Sequence, residues 1–101
     1  MLDAIEKVQQ YSSSFSNHDE LNNDVKTFDA VLMNFIVIGE MVEKISLELR
    51  DETDEKFNWN KIKGFRNIIA HNYFGIDAEE VWQIIKQHLP VLEKNLRALL
   101  A

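Results

Sequence analysis

The stretch Lys61-Ile62-Lys63-Gly64-Phe65-Arg66-Asn67-Ile68-Ile69-Ala70-His71-Asn72-Tyr73-Phe74-Gly75 has a helical period with two chemically different sides. At about 100° per residue, with Arg66 taken as the origin, Ile62 falls at about 320°, Phe65 at about 260°, Ile68 at about 200° and Ile69 at about 300°. These four predict one apolar face turned toward a core. Asn67 falls at about 100°, His71 at about 140° and Tyr73 at about 340°, with the small Ala70 at about 40° among them. The polar groups are therefore expected on the side away from the core. Asn67 and His71, four residues apart, are within reach of each other, and Arg66 and Tyr73 lie two turns apart on nearly one line. This helix is expected to begin at Asn58–Asn60 and to end near Tyr73. Phe74-Gly75 supplies the stop, because Gly enters the left-handed region readily after a helix.

Outward from this segment the periodicity stays helical. Leu2, Ile5, Val8 and Tyr11 mark a first helix. Ser12 to Asn23 is rich in Ser, Asn and Asp and reads as a loop with Phe15 and Leu21 turned inward. A long helix is expected from Asp24 to Arg50, capped by Asn23 or Asp24. Phe28, Val31, Leu32, Phe35, Ile38, Met41, Val42, Ile45 and Leu49 form its apolar stripe. Gly39 in its middle costs about 1 kcal/mol relative to Ala; close approach of another helix would account for it, and so would tolerated drift. Asp51 to Asn58 is polar and reads as a connection. Asp77, with Glu80 three residues on, opens a further helix. Val81, Ile84, Ile85 and Leu89 mark its buried side. Pro90 predicts a kink or restart, followed by the stripe Val91, Leu92, Leu96, Leu99 and Leu100. One Pro and three Gly leave little room for an all-β fold. The expected architecture is all-α: one domain over residues 1–101, a four- to five-helix up-down bundle.

Composition narrows the function classes. At 46% apolar residues, the chain has enough to build a core. No apolar run approaches the roughly 18–20 residues of a membrane span, and the N-terminus lacks a basic segment followed by an apolar one. There is no Cys, which rules out disulfides and thiolate metal sites and suits a cytoplasmic location. The net charge of −6 argues against indiscriminate binding of nucleic acid. Yet Lys56, Lys61, Lys63 and Arg66 lie in a segment, Lys56 to Ile76, that holds no carboxylate, so it carries +4 and the remainder −10. A local basic stripe can attract phosphate, because exposed charges more than about 8–10 Å away are screened. A solvated helix face explains the same pattern.

The polar side of the 61–75 segment has useful chemistry. His71 can take or give a proton near neutral pH. Arg66 can bind phosphate bidentately and stays charged. Tyr73 offers a hydroxyl and a ring, and Asn67 can orient His71. In ribonuclease chemistry a base removes the 2′-hydroxyl proton, that oxygen attacks phosphorus, a cation stabilises the phosphorane and an acid protonates the departing 5′-oxygen. None of these steps requires a metal. The same residues on an exposed helix face are also commonplace. His18 and His88 are far from His71 in sequence and make no ligand spacing, so no metal site is expected.

Arg66, four residues, His71, one residue, Tyr73 resembles the motif of the HEPN superfamily. Asp29-Ala30-Val31, Ile38-Gly39-Glu40, Trp59, Gly64-Phe65-Arg66-Asn67, His71-Asn72-Tyr73-Phe74-Gly75 and Val81-Trp82 followed by Leu89-Pro90 extend the likeness to the HepT-like subgroup, the ribonuclease toxins of HepT/MntA toxin–antitoxin pairs. The resemblance implies a HEPN-like bundle that forms a homodimer with two motif helices facing one cleft. It implies a metal-independent endoribonuclease with no cofactor, acting on RNA. Arg66 and His71 would be catalytic and Asn67 would support them. Tyr73 would contact RNA and accept AMP from a cognate minimal nucleotidyltransferase, the MntA-like antitoxin. Lys61 and Lys63 would bind the RNA backbone. A non-catalytic HEPN domain that binds RNA or nucleotide beside such a nucleotidyltransferase is the alternative. A purely structural helical dimer would have its motif side chains buried or tied up in surface ion pairs.

Overall fold

The computed structural model describes residues 1–101, and all regular structure in it is helical. The helices are α1 (Leu2–Ser12), α2 (His18–Asn23), α3 (Val25–Val42), α4 (Leu47–Phe57), α5 (Trp59–His71), α6 (Ala78–Gln83) and α7 (Leu89–Leu100). A 3₁₀ turn, Tyr73–Gly75, follows α5, and a π-helical turn, Ile84–His88, joins α6 to α7. α3 is the central element. α1 packs along one side of it and α5 along another.

The expected bundle is therefore present, with changed boundaries. The stretch read as a loop contains α2, because the Asn17 side chain accepts a hydrogen bond from the Glu20 amide (2.9 Å) and caps a short helix. Leu21 is buried there as expected, and Phe15 is half-buried. Asp24 caps α3 by accepting from the Thr27 amide (3.1 Å). The helix expected to reach Arg50 stops at Val42. The Ser46 hydroxyl then accepts from the Leu49 amide (3.2 Å) and starts α4 through residues read as a connection. Ile45 and Leu49 continue the three- and four-residue rhythm across this break, which conceals it.

The corner between α4 and α5 is held by several local contacts. Asn58 takes the left-handed conformation at φ 50°, a state that Asn tolerates better than most residues. Its amide donates to the Asp54 carbonyl (2.8 Å), and the Asp54 carboxylate accepts from the Trp59 amide (3.2 Å). The buried Trp59 indole stacks on Phe57 at 4.4 Å and donates to the Thr53 hydroxyl (2.9 Å), which satisfies its one polar atom. The start of α5 is thus fixed in place and direction.

At its other end α5 stops at His71, two residues earlier than the pattern suggests, and no Gly has a positive φ. A Cβ at Gly75 would meet only the tip of the exposed Asn72 side chain, which can turn aside. Asp77 caps α6 by accepting from the Glu79 amide (3.0 Å). Pro90 lacks an amide hydrogen, and its ring would clash with the carbonyl four residues back in a regular helix; the π turn before it relieves both problems.

The core gathers Ile5, Val8, Leu21, Val31, Leu32, Val42, Ile69 and Val81, with Phe35, Ile38, Trp59 and Leu96. Two sequence expectations fail here. Ile68 is 51% exposed, and of the last stripe only Leu96 is buried, with Val91 56% and Leu100 70% exposed. Val91 is open because it lines a gap. α6–α7 does not close onto α5. A groove of about 510 Å³ separates them, floored by Phe35 and Ile38 and walled by Ile62, Phe65, Ile84 and Leu92.

Gly39 lies buried where α5 crosses α3, and a Cβ built on it would overlap the Cβ and Cγ of Arg66. Close approach is thus the reason for this glycine. Gly39→Ala gains about 1 kcal/mol of helix propensity but forces the helices apart, and overpacking costs about 1–3 kcal/mol. Net destabilisation in urea unfolding is expected, and a variant more stable than the parent would refute the close contact.

Candidate functional site

α5 packs along α3, antiparallel to it, and Arg66 lies in this contact instead of on the side away from the core where the sequence angles put it. A row of pairs crosses between them. The Lys63 ammonium meets Glu43 (2.6 Å), Arg66 Nη2 donates to Glu40, and the Tyr73 hydroxyl donates to Asp29 (2.6 Å). Asp29 and Glu40 fall within about 20° of each other on α3, so one stripe supplies both acceptors.

Arg66 is held on three sides. Its stem lies flat on Gly39. Nη2 bonds Glu40, and Nη1 donates to the Asn67 side-chain oxygen at 2.7 Å. Nε is enclosed without an acceptor, and an unpaired buried donor costs about 1–3 kcal/mol. A guanidinium has five N–H donors. With three of them turned inward or engaged, one on each Nη remains for an outside ligand. The Arg66 side chain is 33% exposed, so this edge reaches solvent.

Tyr73 is not on the α5 surface where the sequence angle puts it. The helix ends first, and the 3₁₀ turn swings the ring back toward Asp29. That hydrogen bond, together with burial and the carboxylate charge, raises the phenol's pKa above its ordinary value. At Glu43 the Lys63 hydrogen bond and charge lower the carboxyl's pKa.

The expected site residues fall into groups. Arg66 and Asn67 come together, but Asn67 is engaged by Arg66 rather than by His71. His71 is exposed at the free end of α5, one turn beyond Asn67, and makes no side-chain hydrogen bond or ion pair. Lys63 lies on the α3 side, whereas Lys61 lines the groove on the opposite flank, so the two do not form one patch. The basic stripe is also weaker than the sequence suggests, because α3 places Glu40 and Glu43 against Arg66 and Lys63.

Sequence reasoning gave no chemical role to Asp29 or Glu40, whose partners lie 44 and 26 residues away. It gave Phe74 no role beyond the helix stop and the motif resemblance. Phe74 is fully exposed and stands edge-on to Tyr73 at 5.5 Å, a free aromatic surface beside the motif. The available signal was an aromatic in an otherwise polar turn.

No helix is long and apolar enough to cross a membrane. The family model described as Ribonuclease HepT-like matches residues 1–99. A Methanocaldococcus jannaschii protein named "Gamma-glutamylcyclotransferase and putative RNase" is 27% identical over 99 residues, spanning 95% of this chain and 42% of that protein. Another protein of that organism, named "Putative RNase", is 30% identical over 99 residues, spanning 95% and 86%. A Thermococcus cleftensis protein named "Probable ribonuclease HepT" is 27% identical over 97 residues, spanning 96% and 86%. The chain thus covers less than half of the first of these relatives and most of the other two. No solved structure matches the chain.

The Asp29 contact makes a direct prediction. The neutral phenol is the form stabilised here, so the bond's contribution is complete below the ordinary tyrosine range and is lost as pH rises through the raised value. In a Tyr11→Phe background, which leaves Tyr73 as the sole tyrosine, absorbance titration should show a phenol above the ordinary range. Asp29→Ala should bring it down. Identical titration curves would show that the bond does not form in solution.

Proposed function

The chain belongs to the ribonuclease HepT-like family, and from that premise we propose that it is a metal-independent endoribonuclease working as a homodimer, the toxin of a HepT/MntA-type toxin–antitoxin pair. The observation that carries this reading is the arrangement on α5. A guanidinium is fixed from behind with two outward donors. An unengaged imidazole stands five residues on, which is about 7.5 Å further along the helix axis at the usual rise per residue. His71 also lies about 140° around the helix from Arg66, so in the proposed dimer the Arg66 and His71 that meet at one RNA phosphate can come from different copies.

His71 takes the proton of a 2′-hydroxyl, and the freed oxygen attacks the adjacent phosphorus. Arg66 stabilises the charge that gathers on the phosphorane oxygens. The 5′-oxygen leaves with a proton from an acid, a role that the second His71 of a dimer can fill. The products are a 2′,3′-cyclic phosphate and a 5′-hydroxyl. Asn67 steadies Arg66, while Lys61 and Lys63 serve the RNA backbone from the two flanks of α5. Two copies facing one cleft add their positive edges, which helps an acidic protein hold RNA.

Tyr73 contacts RNA and is the acceptor for control by a minimal nucleotidyltransferase. Its hydroxyl oxygen attacks the α-phosphorus of ATP, pyrophosphate departs, and the phenolic proton passes to a base. The bound AMP adds bulk and a phosphate charge beside Asp29, and so repels RNA.

One observation favours a different reading. Arg66 and Tyr73 both have carboxylate partners on α3, as a structural scaffold or a non-cleaving partner of the nucleotidyltransferase would arrange them. The exposed His71 separates the readings. His71→Ala removes no packing, so its stability should stay within about 0.5 kcal/mol of the parent while RNA cleavage is lost. EDTA should leave the parent rate unchanged. A His71→Ala protein that cuts RNA like its parent would remove the catalytic assignment.

A further inference from the structure

We propose that Glu40 is a positioning residue for Arg66, setting the direction in which its guanidinium presents N–H donors to an RNA phosphate; this rests on the ribonuclease reading above. Neither the motif spacing nor any polar residue of α5 assigns Glu40 this role. Three features of the structure do. Gly39 fixes where the Arg66 stem lies, because the stem occupies the space a side chain would take. Beyond the stem, Nε is enclosed without an acceptor, so the polar contacts that fix the head fall to the two Nη groups. Asn67 and Glu40 bind Nη1 and Nη2, one from the same helix and one from the facing helix.

Stability does not account for the contact. The Arg66 and Glu40 side chains are 33% and 47% exposed, and ion pairs so open to water contribute little to folding. Enclosing Nε without an acceptor works against stability as well. What the arrangement achieves is order. An arginine held in one rotamer before substrate arrives loses less entropy on binding phosphate. Glu40 engages one of the two Nη2 protons and Asn67 one of the two Nη1 protons, which leaves one on each nitrogen for phosphate. Glu40 also offsets part of the positive charge, a loss that the gain in orientation outweighs.

The test uses full-length parent, Glu40→Ala and Glu40→Gln proteins. The glutamine keeps a side-chain oxygen to accept from Nη2. Glu40→Ala should lose roughly 10²-fold in the cleavage step, the scale expected for a misplaced catalytic group, with an unchanged melting temperature. Glu40→Gln should recover most of the rate. Nitrogen-15 relaxation of the Arg66 Nε–H should report a rigid side chain in the parent and in Glu40→Gln, and a mobile one in Glu40→Ala. A Glu40→Ala protein that cuts as fast as the parent, or faster, overturns the proposal and makes the carboxylate a competitor of phosphate. Equal Arg66 rigidity in all three overturns it too. A parent that cuts no RNA sinks the ribonuclease reading instead, and the relaxation data still decide whether Glu40 orders Arg66.

Discussion

At residue 39 the backbone of α3 touches the side-chain stem of Arg66 with no Cβ between them. This contact sets the distance between the two helices, and the other features of the site follow from it. Ile69, three residues beyond Arg66 on α5, is fully buried in the core. The carboxylates of α3 can reach across to Lys63, Arg66 and Tyr73 only because the helix axes are close. The corner at Asn58 and Trp59 supports the arrangement by fixing where α5 begins. α5 is therefore a helix with one well-packed flank, along α3, and one that borders a groove.

The charge pattern changes meaning in three dimensions. Along the chain, the 56–76 segment is purely cationic. In space, two of its four cations face carboxylates from α3. The field over α5 is consequently short-ranged, and recognition of phosphate would depend on the direction of a few donors more than on long-range attraction. This suits an acidic protein that meets one particular anion in one particular place.

Local signals in the sequence were good guides where a single residue decides the outcome. Asp24 and Asp77 cap helices, Pro90 breaks the regular ladder, and Gly39 marks a close crossing. The apolar stripe of α3 was equally clear. Boundaries set by competition were not. Ser46 restarts a helix inside an unbroken apolar rhythm, and α4 is too charged to show a buried face. The end of α5 moved because Asn72 leaves the helical region before the glycine that looked like the stop. The motif residues themselves could be picked out on the chain, since they share one short segment. Their partners could not, because Asp29 and Glu40 belong to a distant helix, and only the crossing of α3 with α5 brings them to Tyr73 and Arg66.

The antiparallel seam also constrains how this chain can vary in length. One residue inserted within α3 or α5 turns everything beyond it by about 100°, so a single insertion would unzip several cross-helix pairs together while leaving each residue chemically intact. The stretch from Lys44 to Glu52 has no such restriction, because it is mostly solvated and lies between the seam and the corner at Thr53–Trp59. Length changes among related chains should therefore collect around residues 44–52 and spare both.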